Sequence, residues 1–244
     1  MSAPPVISVI LVCKNPGPRL QAALESVWAQ QNASCELIVI DGGSTDGTRE
    51  WLEAQRGRLA AFISEADTGA YAAMNKGVRL ARGDWLLFLG ADDRLAGNDV
   101  LARIAAQVAP NTTSVYAGEA VYSDGRIYRP ARRLHPIFRN FVHHQAAFYH
   151  RALFAGTDYD ATLTCQADYD LNLRLWRSGV RFIPLQLRVT DCAARGLSDA
   201  GHWINYREEI AIRHRHFAAA ACWFWDALSV VRYLRKLTLR TIGP

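Results

Sequence analysis

The segment Trp85-Leu86-Leu87-Phe88-Leu89-Gly90-Ala91-Asp92-Asp93 sets the architecture. Its five consecutive apolar residues are enough for a strand and too few for a buried helix. The run then stops in a Gly-Ala step and two adjacent carboxylates. Two earlier segments share this design. Val6-Ile7-Ser8-Val9-Ile10-Leu11-Val12, mostly β-branched, stops at Cys13-Lys14-Asn15-Pro16-Gly17, and Leu37-Ile38-Val39-Ile40 stops at Asp41-Gly42-Gly43-Ser44-Thr45-Asp46-Gly47-Thr48. Ala60 to Ser64 reads as a further strand. Between the strands, Arg19 to Gln31 carries Leu20, Ala23, Leu24 and Val27 at helical spacing, and Ala70 to Ala81 is also helical. A shorter helix, capped by Thr45 or Asp46, runs to about Gln55.

Strands apolar on both faces, alternating with helices, predict an α/β fold with a mostly parallel sheet flanked by helices. In such sheets ligands bind beyond the carboxyl ends of the strands, where the polar clusters of this chain fall. The second half is less regular. Ser114 to Tyr122 and Arg126 to Tyr128 read as strands joined by a turn at Asp124-Gly125, and Ala146 to Tyr149 as another strand. Asp168 to Arg177 is helical, Val180 to Leu187 a strand, and His202 to Phe217 helical.

The 244 residues suit one large domain with an appendage. A composition of 50% hydrophobic and 10% aromatic residues supplies a core and excludes general disorder. The 28 basic residues exceed the 23 acidic ones by 5, and the pI is near 9.1. That mild excess suits anionic ligands or an anionic lipid surface without calling for nucleic acid. Five cysteines, at 13, 35, 165, 192 and 222, form no CxxC pair, which argues against a disulfide framework or a zinc ribbon and for a reducing compartment. The N-terminus lacks the basic stretch and long apolar run of a signal peptide, and no apolar run reaches the ~18 residues of a membrane span. The expected location is the cytoplasm, extending to the cytoplasmic face of the inner membrane.

Adjacent Asp92 and Asp93 repel each other and call for a hard divalent cation, completed by substrate phosphate oxygens. The plainer alternative is a helix cap beside a solvated acid. In the Asp41–Thr48 loop, glycines permit close backbone approach and hydroxyls offer hydrogen bonds to a base or ribose; the alternative is an ordinary strand-to-helix turn. Lys76, in Met74-Asn75-Lys76-Gly77, suits a diphosphate or, more plainly, the solvated surface.

The order of these motifs, with Asp67-Thr68-Gly69-Ala70-Tyr71, His144-Gln145 and Ala167-Asp168-Tyr169-Asp170-Leu171, resembles the inverting family 2 glycosyltransferases of the Rossmann-like GT-A fold. Within them it is most similar to small bacterial enzymes that extend exopolysaccharide or colanic-acid-type repeat units. The resemblance covers residues 6 to about 200. It implies a GT-A domain over 1–216, with a nucleotide-binding half to about 95 and a smaller acceptor-side half after it. Residues 217–244 follow as an amphipathic basic and aromatic helix. It also implies a nucleotide-diphosphate sugar as donor, a saccharide acceptor carried on lipid, and Mn²⁺ or Mg²⁺. Asp41 would bind the base. Lys14, Asp67, Asn75 and Lys76 would line the nucleotide sugar, with Asp92 near the ribose or donor sugar. Asp93, with Asp92 beside it, would hold the metal, and Asp168 stands at the position of the family's catalytic base, with Asp170 as competitor. His144, Gln145, Ser198 and His202 are candidates for acceptor or donor-sugar contacts. Two departures stand out: no aromatic lies near Cys13 to stack on a base, and Gly90-Ala91 replaces the more usual Asn-Ser.

The chemistry agrees with these roles. A departing diphosphate gathers negative charge that a cation stabilises, while the attacking hydroxyl must lose a proton to a positioned carboxylate. Adjacent His143 and His144 are expected to point different ways on a strand. Arg126, Arg129, Arg132, Arg133 and Arg139 form either a solvated face or a funnel for a lipid-linked pyrophosphate. The tail from Phe217, with Trp223, Trp225, Arg232, Arg235 and Lys236, suits a helix lying on an anionic membrane face or packed on its own domain. The competing readings are a sugar nucleotidyltransferase, which would need a Gly-rich basic loop after the first strand, and a nucleotide-sugar-binding module without turnover.

Overall fold

Strands β1 (Ile7–Cys13), β2 (Cys35–Asp41), β3 (Ala61–Ser64) and β4 (Trp85–Gly90) are joined by α1 (Arg19–Trp28), α2 (Thr48–Ala54) and α3 (Ala70–Leu80). The structure is a computed structural model and describes residues 6–109, 113–130, 136–194 and 202–242. The four strands pair in parallel in the order β3-β2-β1-β4, and their register is flush at the carboxyl end: Cys13 stands beside Asp41, and Val12 beside Gly90. The three polar loops therefore open on one edge.

Alternation along the strands builds two cores. Val9, Leu11, Val39 and Leu87 face α1 through Leu20 and Leu24. Ile10, Ile38, Ile40 and Phe88 face α3 and the second half of the chain. Helix α3 lies so close to β1 that a Cβ on Gly77 would stand 2.3 Å from Ile10 Cγ2, so glycine alone fits there.

The remaining elements are β5 (Arg94–Leu95), α4 (Val100–Ala105), β6 (Ser114–Tyr122), β7 (Ile127–Tyr128), β8 (Ala147–His150), α5 (Ala167–Arg177), β9 (Arg181–Cys192), α6 (Trp203–His216) and α7 (Ala219–Ile242). They extend the sheet as β4-β8-β6-β9-β5, with β7 on β6. The sheet is mostly parallel, since β6 and β9 also pair in parallel, while β8 runs antiparallel to both β4 and β6, and the short β5 and β7 run antiparallel to β9 and β6. Three local expectations shift. Strand β9 continues to Cys192 because Gln186 and Arg188 point outward while Leu187 and Val189 stay buried. The short β5 and α4 carried no readable period. Helix α2 is capped by Gly47 at φ 89°, while Asp46 accepts from Thr48 N at 3.2 Å and Gly17 N at 3.0 Å, tying the loops after β1 and β2 together.

At the opposite edge the buried Glu36 carboxylate accepts from Ser8 Oγ (2.7 Å), Arg82 N (2.7 Å) and Arg82 Nε (2.9 Å). Burial works against its charge, but these bonds and the guanidinium hold it below the ordinary carboxylate value. Glu36→Ala is expected to cost about 2–3 kcal/mol in urea unfolding, because buried donors lose their acceptor. A group with a depressed folded pKa stabilises above its unfolded pKa. The difference from wild type should therefore shrink as pH falls below the carboxylate range.

Helix α7 is locked to the domain. Arg213, fully buried on α6, donates to Glu209 (2.7 Å), Ser229 (3.0 Å), Asp226 and the Ile137 carbonyl (2.7 Å). The other face of α7 exposes Trp223, Phe224, Val231 and Leu234. Among the described residues no helix is long and apolar enough to cross a membrane.

Candidate active site

The flush strand ends open into a cavity of about 510 Å³. Its walls include Lys14, Tyr71, Asp92, Asp93, His144, Gln145 and Asp168. Six residues read from the sequence as site candidates thus meet at one place: Lys14, Asp92, Asp93, His144, Gln145 and Asp168.

Asp93 follows β4 in a turn closed by its own N–H on the Gly90 carbonyl at 3.2 Å. Its carboxylate is 2% exposed and accepts from Ala193 N at 3.1 Å and from Gln145 Nε2. Burial first, and then the charge of Asp92, pushes this carboxyl up to about 6. Asp92 is more open, with Arg19 at 3.8 Å. The two carboxylates converge above Gly90. A Cβ there would stand 2.5 Å from Asp93 Oδ2 and 3.2 Å from Asp92 Oδ1. Gln145 Nε2 also stands 3.1 Å from that position. Two hard oxygen donors this close together fit a divalent cation. No group of three or more His, Cys, Asp or Glu residues suited to a metal occurs among the described residues. A cation on two carboxylates would complete its shell with phosphate oxygens and water. Gly90→Ala should push Asp93 Oδ2 aside and weaken any divalent-cation affinity of this pair by about 10–100-fold with the melting temperature nearly unchanged. Titration calorimetry measures the affinity; an unaltered value would remove the convergence from the account.

Asp168 enters the cavity from the first turn of α5. Glu208 on α6 holds that turn by accepting from the N–H groups of Thr164 (2.7 Å), Cys165 (2.9 Å) and Gln166 (3.1 Å), which would otherwise lack partners. The Asp168 carboxylate accepts from Tyr71 Oη at 3.3 Å and Asn140 Nδ2 at 2.7 Å, and faces His144 Nδ1 at 3.2 Å. Asp170 turns the other way, onto Arg174 (2.8 Å) and His216 (2.9 Å), so the competing carboxylate is spent in ion pairs outside the cavity.

Other candidates lie off this wall. Asp41 is fully buried beneath the β2 loop, where it accepts from Ser44 N (3.0 Å), Ser44 Oγ and Ser64 Oγ (2.6 Å). The Cys13 thiol faces it at 3.7 Å, and burial followed by the Asp41 charge drives that thiol far up, keeping it protonated. Lys76 is paired with Asp67 and with Glu65 at 2.6 Å. Asn75 departs from its expected place. Both ends of its amide bind the backbone of Tyr159, at 2.9 and 3.0 Å, so it pins a loop instead of lining the cavity. His202 is an exposed residue preceding α6, and Ser198 lies outside the described residues, as do Arg132 and Arg133. Arg126 and Arg129 are paired with Asp124 and Glu119, and Arg139 lies over Phe138. His143 and His144 do not diverge: their rings stack at 10°, because His144 opens a 3-10 turn before β8 begins. Tyr71, Asn140 and Glu208 were missed as site residues. Tyr71 lay inside a quoted motif, whereas nothing local marked the other two.

The sequence profile described as Glycosyl transferase family 2 matches residues 8–166. A PGL/p-HBAD biosynthesis glycosyltransferase of Mycobacterium tuberculosis (strain ATCC 25177 / H37Ra) is 39% identical over 180 residues, covering 70% of each chain. Among solved structures, Staphylococcus aureus TarS 1–349 in complex with UDP-GlcNAc shares the fold with TM-score 0.67 and 17% identity, covering 94% of this chain and 72% of that one. The mannosyltransferase PcManGT of Pyrobaculum calidifontis, in complex with GDP-Man and Mn²⁺, gives TM-score 0.67 at 18% identity, covering 100% and 77%. With its curled sheet flanked by helices in the GT-A arrangement, the chain belongs to glycosyl transferase family 2 and is a glycosyltransferase.

Proposed function

We propose that the protein is an inverting transferase that moves a sugar from a nucleotide-diphosphate donor to a saccharide hydroxyl. The observation that carries this reading is the joint presence of Asp92, Asp93 and Asp168 on the wall of one cavity. Asp93 and Asp92 would hold Mn²⁺ or Mg²⁺, which when bound would supply Lewis-acid stabilisation of a leaving diphosphate. Lys14 adds positive charge on the same wall. Asp168 serves as the general base that takes the proton of the attacking hydroxyl. Inversion follows when attack and departure occur on opposite faces of the sugar in one displacement. The loops around Asp41, Asp67 and Lys76 form the donor half, to about residue 95, and residues 96–216 the acceptor half.

A lipid-linked acceptor in cell-surface or exopolysaccharide synthesis is supported by α7. Its single acid, Asp226, is turned inward to Arg213 and His214, leaving an outer face of aromatic and aliphatic residues without carboxylates. Such a face suits the cytoplasmic surface of an anionic membrane. The mycobacterial relative's name adds acceptors of PGL/p-HBAD biosynthesis to those worth assaying.

The test is a thermal-shift screen of UDP-, GDP- and dTDP-sugars with and without Mn²⁺, followed by assay of the released nucleotide. At least one sugar should stabilise the protein in a metal-dependent way and yield nucleoside diphosphate. Pyrophosphate as the product would favour a nucleotidyltransferase, and binding without turnover a non-catalytic module.

A further inference from the structure

The Asp168 carboxylate is fixed by neutral donors. Asn140 Nδ2 reaches it at 2.7 Å, and the Asn140 amide is itself oriented by Asn172 Nδ2 on its Oδ1 at 3.0 Å. Asn172 Oδ1 in turn accepts from the buried Tyr149 hydroxyl at 3.0 Å. This chain leaves Asn140 one orientation, with its N–H toward Asp168. Among the described residues the one ion-pair partner given to Asp168 is His144. A buried carboxylate whose other partners are neutral gains most from a neighbour that becomes positive.

His144 is that neighbour. An ionised carboxylate only accepts, so the 3.2 Å contact requires Nδ1 to carry the hydrogen. In the neutral ring Nε2 then keeps its lone pair. No protein partner to Nε2 occurs among the described residues, and His144 stands on the cavity wall. Its stacked neighbour His143 offers no competing charge: burial first, and then His144, holds its pKa down to about 3. Asp93 lines the same cavity.

We propose that Asp168 fixes His144 in the Nδ1–H tautomer and that His144 Nε2 takes the proton of the attacking hydroxyl. The oxygen's freed pair forms the bond to the anomeric carbon, the old carbon–oxygen bond breaks toward the nucleoside diphosphate, and the imidazolium faces Asp168 until it releases the proton to water. The idea rests on the transfer reading above and moves the landing atom from a carboxylate oxygen to a ring nitrogen. An orienting carboxylate behind an imidazole base is established chemistry in hydrolases.

Two measurements test it. Nitrogen-15 NMR of histidine in the intact protein should give His144 as Nδ1–H with a bare Nε2; the Nε2–H tautomer overturns the proposal and needs no substrate. The second is cleavage of UDP-N-acetylglucosamine, UDP-glucose, GDP-mannose and dTDP-rhamnose with Mn²⁺, water serving as acceptor. His144→Ala should lower the rate at saturating donor by about 10²-fold with donor affinity within about threefold, and free imidazole should restore part of it. Loss without rescue, or no loss, overturns the proton-carrying role; if Asp168→Asn is inactive in the same assay, the transfer reading survives that outcome. A wild-type protein that cleaves none of the four donors sinks both.

Discussion

Asp168→Asn is expected to cut sugar transfer by about 10²–10⁴-fold while donor affinity stays within about threefold. The side chain enters from α5 and makes no bond to the Asp92–Asp93 loop, so the phosphate end is left intact. The amide loses the negative charge but can keep its oxygen toward Asn140 Nδ2 and His144 Nδ1 and turn its NH₂ to the Tyr71 hydroxyl, so the geometry is largely preserved. A nucleotide titration with single-turnover kinetics separates the two effects. Near-normal transfer by this variant would reject position 168 as the source of basic charge.

Asp93→Ala should act on the other half of the reaction. Metal-dependent donor binding is expected to fall by about 10²-fold or more, and the residual affinity should no longer respond to Mn²⁺. The fold should persist for a reason the sequence alone did not give. Asp93 is not a free loop acid but a buried one, so its removal relieves a desolvated charge while costing the bonds from Ala193 N and Gln145. These opposing terms leave a net change of about 1–2 kcal/mol. Calorimetry with and without Mn²⁺, beside a melting curve, gives both quantities; equal Mn²⁺ dependence in variant and wild type would remove Asp93 from the metal site.

How much could be read in advance followed the range of the interactions. The first four strands were legible because each is a short apolar run closed by a polar loop, and strand identity needs only neighbours in sequence. The Asp92–Asp93 turn was legible for the same reason. Asn75 was misplaced because a polar residue on a helix gives no sign of which partner it faces; Tyr159, 84 positions away, decided it. Glu208 sits 44 positions after the loop it holds, and the alternating charges around it look like an ordinary solvated helix. The His143–His144 expectation failed on a local point: strand alternation was applied three residues before the strand begins.

The Arg213 cluster makes the last helix part of the protein's interior economy. A shortened version ending near residue 217 would leave a guanidinium in the core with Asp226 and Ser229 gone, and with Glu209 as its remaining carboxylate beside the Ile137 and Phe138 carbonyls. Since Glu208 neighbours that cluster and grips the turn carrying Asp168, such a truncation should be felt in turnover as well as solubility. A shift at helix α7 and a shift at the turn carrying Asp168 thus have a short mechanical path between them, running through two adjacent glutamates.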